Sequence, residues 1–356
     1  MLLLNPGPVS LSERVRNSLL QPDLCHREPE FFDLQDAARE GLLGVYGLAA
    51  SDWVPVLMTG SGTAAVESMV AALVPEGGRL LVVENGVYGE RIAQMARQYR
   101  IPHEVIKHDW LCAPNLHAIL ARLDDAQPRF THLAVIHHET TTGRLNPLDR
   151  LARACFDRGV GLLVDAVSSF GAEAIDFTHP ALLAVAGTAN KCLHGVPGVA
   201  FVMARQLALE QATSRTYYLD LGRLATLQAQ RNTPFTPAVQ AYYALVEGLH
   251  ELRDEGGWAA RHARYEALAE RAAAGFLALG IGPAIPPAES SVVLRAYRLP
   301  PKVDYPQLHD ALKAAGFVIY AGQGGLSAEI FRISTMGRVQ AADIDRLVQA
   351  VAQLLD

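Results

Sequence analysis

A chain of 356 residues, half of them hydrophobic, has length for two domains, or one large domain with a smaller appendage, and ample material for a buried core. Its 31 basic and 37 acidic residues leave a net charge of −6 and form no block of one sign, which argues against a nucleic-acid or membrane-surface partner. No apolar run reaches the ~18–20 residues of a membrane span, and the start, Met1-Leu2-Leu3-Leu4-Asn5-Pro6, lacks the basic region of a secretory signal.

Asn5-Pro6-Gly7-Pro8 must be extended, because proline disfavours helix at and before itself. Phe31 to Tyr46 carries helical spacing. From Val54 short apolar runs alternate with amphipathic stretches. Strands are expected at Arg79–Glu84, His103–Ile106, His132–His137 and Val160–Asp165, with helices at Tyr88–Arg100, Asn115–Asp124 and Leu148–Asp157. Two more apolar runs follow, Leu182–Ala186 and Val199–Ala204. This alternation implies an α/β fold with a mainly parallel central sheet covered on both faces. A long helical region runs from near Pro237 to Leu279, broken at Gly256-Gly257. Beyond Pro287 come strands at Ser291–Tyr297, Phe317–Tyr320 and Glu329–Ile333 and helices at Tyr305–Ala315 and Ala341–Leu355, a small α+β unit. The expected division is a large domain over 1–265 and a small C-terminal domain over 266–356.

Ligands of open α/β sheets collect at the carboxyl ends of the strands, and several polar segments fall there. Met58-Thr59-Gly60-Ser61-Gly62-Thr63 opens a helix, whose free N–H groups suit a phosphate, although Ser61 and Thr63 could simply be caps. Tyr88, in Glu84-Asn85-Gly86-Val87-Tyr88-Gly89, could stack on a planar ring or lie on the surface. Thr140-Thr141-Thr142 follows another strand, as hydroxyls for a ligand or as turn caps. Asp165 ends an apolar strand, where a buried carboxylate needs a partner, unless it caps a helix. Arg332 lies inside a short C-terminal strand, suited to gripping a carboxylate or exposed on an edge.

Only four lysines occur, against 27 arginines. Lys107, Lys302 and Lys313 sit in loop or solvated-helix contexts, whereas Lys191 lies in Ala189-Asn190-Lys191-Cys192-Leu193-His194-Gly195-Val196-Pro197-Gly198. A strand-terminal carboxylate followed 26 positions later by a lysine in a Gly/Pro-rich turn suggests pyridoxal phosphate chemistry. The aldehyde needs an amine, and the pyridine nitrogen needs an anion to stay protonated. The cysteines Cys25, Cys112, Cys155 and Cys192 show no CxxC spacing and read as free thiols in a reducing, cytoplasmic compartment. The histidines form no HExxH pair, so no metal site is expected.

At these residues the chain resembles the class V aminotransferases of pyridoxal phosphate fold type I. The matching stretches are Leu3-Leu4-Asn5-Pro6-Gly7-Pro8, Glu139 to Pro147, Val164 to Gly171, Ala189 to Gly198, Gly316 to Tyr320 and Phe331-Arg332-Ile333. The Glu139-Thr140-Thr141-Thr142-Gly143 and Ala189-Asn190-Lys191-Cys192 forms point to the branch that moves the amino group of 2-aminoethylphosphonate to pyruvate, giving phosphonoacetaldehyde and alanine. The alternative is the alanine– or serine–glyoxylate branch. The resemblance implies Lys191 as the amine that condenses with pyridoxal 5′-phosphate and Asp165 as the partner of its ring nitrogen, the two catalytic positions. It places Tyr88 against the ring and Thr140 at the ring hydroxyl, with Ser61, Gly62, Thr63, Val167 and Asn190 around the cofactor. It assigns Thr233 to the neighbouring subunit's phosphate in a homodimer, and Arg332 to the substrate's acid group with Gly7 nearby; from charge alone, His26 or Arg27 is expected to help hold the phosphonate dianion. Departures occur at Tyr320-Ala321-Gly322-Gln323, with Ala and Gln where Pro and Lys are usual, and at Ser334-Thr335-Met336. Two other classes remain: a non-catalytic ligand-binding relative, and a lyase or desulfurase, which would want a mobile catalytic cysteine where Cys192 reads as a packed small residue.

Overall fold

The computed structural model describes residues 1–355. Its centre is a seven-stranded sheet formed, in chain order, by β1 (Trp53–Gly60), β2 (Leu80–Glu84), β3 (His103–Lys107), β4 (His132–Ile136), β5 (Gly161–Asp165), β6 (Leu182–Thr188) and β7 (Gly198–Arg205). Across the sheet the order is β1-β7-β6-β5-β4-β2-β3. All neighbours run parallel except β7, which is antiparallel to both β1 and β6.

The strands read as apolar runs because both faces are covered. On β7, Val199, Phe201 and Met203 point into one core, while Ala200, Val202 and Ala204 point into the other. The first core includes α1 (Pro29–Val45) and α4 (Val239–Asp254) through Phe31, Leu42, Leu245 and Leu249. The second includes α2 (Gly62–Leu73) and α3 (Val87–Gln98) through Met69, Val70, Ile92 and Ala96. Each fully buried Val, Leu or Phe stabilises by roughly 1.5–3 kcal/mol relative to exposure, so the two faces hold the sheet rigid beneath its carboxyl-end loops.

β1 carries Pro55, which a central strand would not tolerate but an edge strand does. Its exposed edge is closed by Gln228 from the helix Leu221–Ala229. That side chain donates to the Leu57 carbonyl at 2.7 Å and accepts from the Leu57 N–H at 3.0 Å.

After α4 the chain enters α5 (Trp258–Ala278), then a three-stranded antiparallel sheet ordered β8 (Leu294–Arg298), β10 (Ile330–Ser334), β9 (Tyr320–Ala321), covered by α6 (Tyr305–Ala314) and α7 (Ala341–Leu355). Its core contains Phe276, Tyr297, Leu312, Phe331 and Leu347. The expected strand Phe317–Tyr320 divides: Phe317–Val318 pairs in parallel with Leu2–Leu3, while Tyr320–Ala321 joins Ile330–Ser334. Leu2 and Leu3 thereby bind the start of the chain to the C-terminal sheet. No helix among the described residues is long and apolar enough to cross a membrane.

Candidate active site

The lysines divide sharply. Lys107, Lys302 and Lys313 are exposed, and Lys191 is half-buried. Lys191 follows β6 by a tight turn in which the Gly195 N–H donates to the Ala189 carbonyl at 2.8 Å and the His194 N–H to the Lys191 carbonyl at 3.0 Å. Burial pushes its amine down to about 8, outweighing the nearby Asp165. Nζ donates to the Pro6 carbonyl. Gly7 leaves room for this: a Cβ there would lie 2.6 Å from Lys191 Cδ and 2.7 Å from Nζ. The N-terminal arm therefore forms one wall of the lysine's pocket.

Asp165, at the carboxyl end of β5, is buried. Its Oδ1 accepts the Val167 N–H at 2.9 Å, and no side-chain cation among the described residues hydrogen-bonds it. Burial raises its acid to about 6, against the pull of that N–H, Arg91 and Lys191. A carboxylate here gains strongly from a buried cation. Glu139 lies nearby, also buried, and burial raises it to about 7, with Asp165 adding to the shift. Thr141 donates to Glu139 Oε1 through its N–H at 3.0 Å and its hydroxyl at 2.6 Å, while Oε2 has no partner.

Gly62, Thr63, Tyr88, Arg91, Asp165 and Val167 line one narrow cavity. Gly62 opens α2 and packs flat on Val167, since a Cβ would lie 2.5 Å from Val167 Cγ1. The Ser61 hydroxyl does not cap the helix, so the first-turn N–H groups stay available to an anion. Tyr88 sits one turn before Arg91 on α3. The Arg91 guanidinium lies 4.8 Å from the Tyr88 ring centroid and donates to the Thr63 hydroxyl at 3.1 Å. Arg91 is a site residue that sequence reading missed; its signal was the three-residue spacing from Tyr88. Asn190 accepts from the Thr188 hydroxyl at 2.8 Å, and the neighbouring Cys192 thiol is buried against the Ser168 carbonyl.

Arg332, in the middle of β10, is buried yet pairs with no carboxylate among the described residues. Nε donates to the Ala321 carbonyl at 2.8 Å. Nη1 donates to the Thr140 carbonyl at 2.7 Å and the Gln323 Oε1 at 3.2 Å. Burial lowers its affinity for its proton, partly offset by Tyr88 and Glu139. Thr140 thus reaches Arg332 through its backbone.

Thr233 and His26 stand with a different set of partners. The Thr233 hydroxyl donates to the Phe235 carbonyl at 3.1 Å. Arg27, beside the half-buried His26, donates to the Thr233 carbonyl at 3.4 Å and Asn232 Oδ1 at 3.5 Å. No hydrogen bond joins this group to Lys191, Asp165 or Arg332. No cluster of three or more metal-ligating side chains forms among the described residues.

The fold, with a lysine after β6 and a buried aspartate ending β5, defines a class that comparison with known proteins also picks out. The Aminotransferase class-V family model matches residues 21–347, and the chain belongs to that family. The 2-aminoethylphosphonate–pyruvate transaminase of Vibrio vulnificus (strain YJ016) is 38% identical, with 99% of this chain and 97% of that protein covered. Among solved structures, an alanine–glyoxylate aminotransferase from Nostoc sp. superposes with a TM-score of 0.92 at 26% identity, covering 100% of this chain and 95% of that one. A subgroup IV aspartate aminotransferase from Thermus thermophilus gives 0.90 at 28%, covering 100% and 99%. The expected fold type I architecture and the pyridoxal phosphate dependence follow from this membership.

Proposed function

We propose that this chain transfers the amino group of 2-aminoethylphosphonate to pyruvate, releasing phosphonoacetaldehyde and alanine. The full-length relatives with that name support the substrate pair. The observation that carries it in this chain is Arg332, a buried guanidinium without a carboxylate, ready for the acid group that donor and acceptor both possess.

The residues fit pyridoxal phosphate. Among the described residues Asp165 is a buried acid with no cation hydrogen-bonded to it and Glu139 Oε2 has no donor, and the α2 N-terminus beside Ser61, Gly62 and Thr63 offers N–H groups for a phosphate. When bound, the cofactor supplies an aldehyde and an electron-accepting ring. Lys191 contributes the amine, poised by burial to be uncharged near pH 8. Its Nζ would take a proton from the donor's reacting carbon and return one in the acceptor half-reaction. Asp165 would hold the proton on the ring nitrogen by remaining an anion beside it. Tyr88, Val167, Thr140 and Asn190 would hold the bound ring, and Arg332 would orient the substrate's acid group with Gly7 alongside.

A two-domain division, residues 1–265 and 266–356, accounts for the two separate sheets. Thr233, His26 and Arg27 serve the neighbouring subunit's site in a cytoplasmic homodimer. Their grouping away from Lys191 supports that assignment.

The test is a donor screen on the purified holoenzyme. Loss of the cofactor's visible absorption with 2-aminoethylphosphonate, restored by pyruvate, is the expected result. Bleaching by serine or alanine with restoration only by glyoxylate would overturn the substrate assignment in favour of the glyoxylate branch.

A further inference from the structure

Among the described residues Gln323 is the one side chain that hydrogen-bonds the Arg332 guanidinium; its other two partners are backbone carbonyls. Arginine only donates, so the atom facing Nη1 must be the amide oxygen, and the Gln323 Nε2 group is left with no hydrogen bond among the described residues. Arg332 Nη2 also has no partner among the described residues. Two donors on adjacent groups are therefore free, one cationic and one neutral.

The loop that carries Gln323 is held in place. Gly322 is buried and donates to the Ile330 carbonyl at 2.8 Å, and Gly324, with a φ of +54°, presses on the Trp110 indole, where a Cβ would lie 2.9 Å from Cζ3. Gln323 thus meets Arg332 from a braced turn. No lysine or second arginine among the described residues hydrogen-bonds that guanidinium; Tyr88, Glu139, Tyr305 and Tyr320 hold its proton, and Lys191 is the cation that lies within electrostatic reach of it.

We infer that Gln323 determines which acid group the site prefers: it fixes the rotation of Arg332 and, as a neutral amide, adds no charge of its own beside the guanidinium, which is left to serve carboxylate and phosphonate alike. This deepens the proposed reaction and rests on Arg332 receiving the substrate's acid group. A carboxylate at 323 would give Arg332 an internal anion that competes with substrate. A cation at 323 would favour the more highly charged phosphonate. A thioether would lose the anchor without changing charge.

The holoenzyme and its Gln323→Glu, Gln323→Lys and Gln323→Met variants are compared by steady-state kinetics with 2-aminoethylphosphonate, with its carboxylate counterpart 3-aminopropanoate, and with alanine in the reverse direction. In Gln323→Glu the KM of every acid substrate is expected to rise by roughly tenfold or more with little change in kcat, because binding and not chemistry is opposed. In Gln323→Lys the ratio of kcat/KM for phosphonate over carboxylate is expected to rise by about tenfold, and in Gln323→Met both fall together with that ratio unchanged. An unaltered KM in Gln323→Glu, or one phosphonate-to-carboxylate ratio throughout the series, overturns the inference. Rejection of 2-aminoethylphosphonate by the parent enzyme would instead sink the donor assignment. The KM for alanine would still rise in Gln323→Glu if Gln323 acts as argued, and would stay flat if it does not.

Discussion

Gly7 and Lys191 are packed so closely that the missing side chain of one makes room for the other. A Cβ on Gly7 would lie within 2.9 Å of three Lys191 atoms, and the Gly7 backbone has a φ of +106° that L-residues rarely adopt. Gly7→Ala should therefore push the amine from its place and strain the arm, at a cost of about 1–3 kcal/mol. A fall of at least roughly tenfold in kcat is expected, with weaker cofactor retention and a lower melting temperature of the apoprotein in keeping with that strain. Normal kcat and normal cofactor affinity in this variant would show that the arm does not shape the lysine pocket.

Asp165 should be needed for turnover more than for cofactor capture. Asp165→Asn keeps the shape and the hydrogen bond with Val167 but removes the charge proposed to face the cofactor's ring nitrogen. Losing one member of a buried charge pair costs ~2–5 kcal/mol. Single-turnover rates with amino donors should drop by a factor on the order of a hundred or more, while Asp165→Glu retains part of the activity. Equal rates in the parent and Asp165→Asn enzymes would remove the electronic role.

The central sheet was legible because both its faces are covered, so its strands read as apolar runs between helical periods. Lys191 and Asp165 were legible for a related reason: each ends or follows such a strand, where the topology places ligands. What stayed hidden depends on contacts remote in sequence. Arg332 and Thr140 meet across 192 positions, and neither periodicity nor spacing shows which carbonyl a buried guanidinium will find. The edge strand β1 was blurred by Pro55, and the Gln228 side chain that closes its edge lies 171 residues away. The two-residue strand at Leu2–Leu3 is too short to carry any alternation; only pairing with Phe317–Val318 makes it one.

The amine of Lys191 gives a pH signature in the apoprotein. Burial brings it down to about 8 from an ordinary 10.5, so its neutral, nucleophilic fraction grows as pH rises through about 8. The rate at which the apoprotein captures pyridoxal phosphate, followed by visible absorbance from about pH 6 to about pH 10, should rise and level off with its inflection near the lower value. Asp165 holds the amine's proton slightly, so Asp165→Asn should move the inflection further down. A rate still climbing at the alkaline end would mean that the amine is solvated and ordinary. Lys191→Ala should lose at least roughly 10²–10⁴-fold in transamination, the usual worth of a positioned proton-transfer group.

Glu173 ties three parts of the chain together. It follows β5 and lies fully buried. Its Oε1 accepts from the Ser291 hydroxyl and the Val292 N–H, and Oε2 lies 3.4 Å from Nδ1 of His262 on α5. Burial alone would raise its acid, yet the hydrogen bonds from His262 and Ser291, with His137 and His138 behind them, bring it below the ordinary value. The same contact lifts His262 to about 8, with burial opposing and the Ala172 carbonyl and Glu266 adding to the rise. A histidine whose folded value exceeds its unfolded one stabilises fully below about 6.5, and that contribution is lost as pH rises through about 8. The melting temperature should therefore decline across that window, and the decline should flatten in His262→Gln. Glu173→Gln should destabilise by about 1–3 kcal/mol at neutral pH, because Ser291 and Val292 lose a charged acceptor. A melting curve for His262→Gln that falls with pH as steeply as the parent's would show that this histidine does not link the strand-end loop to α5 electrostatically.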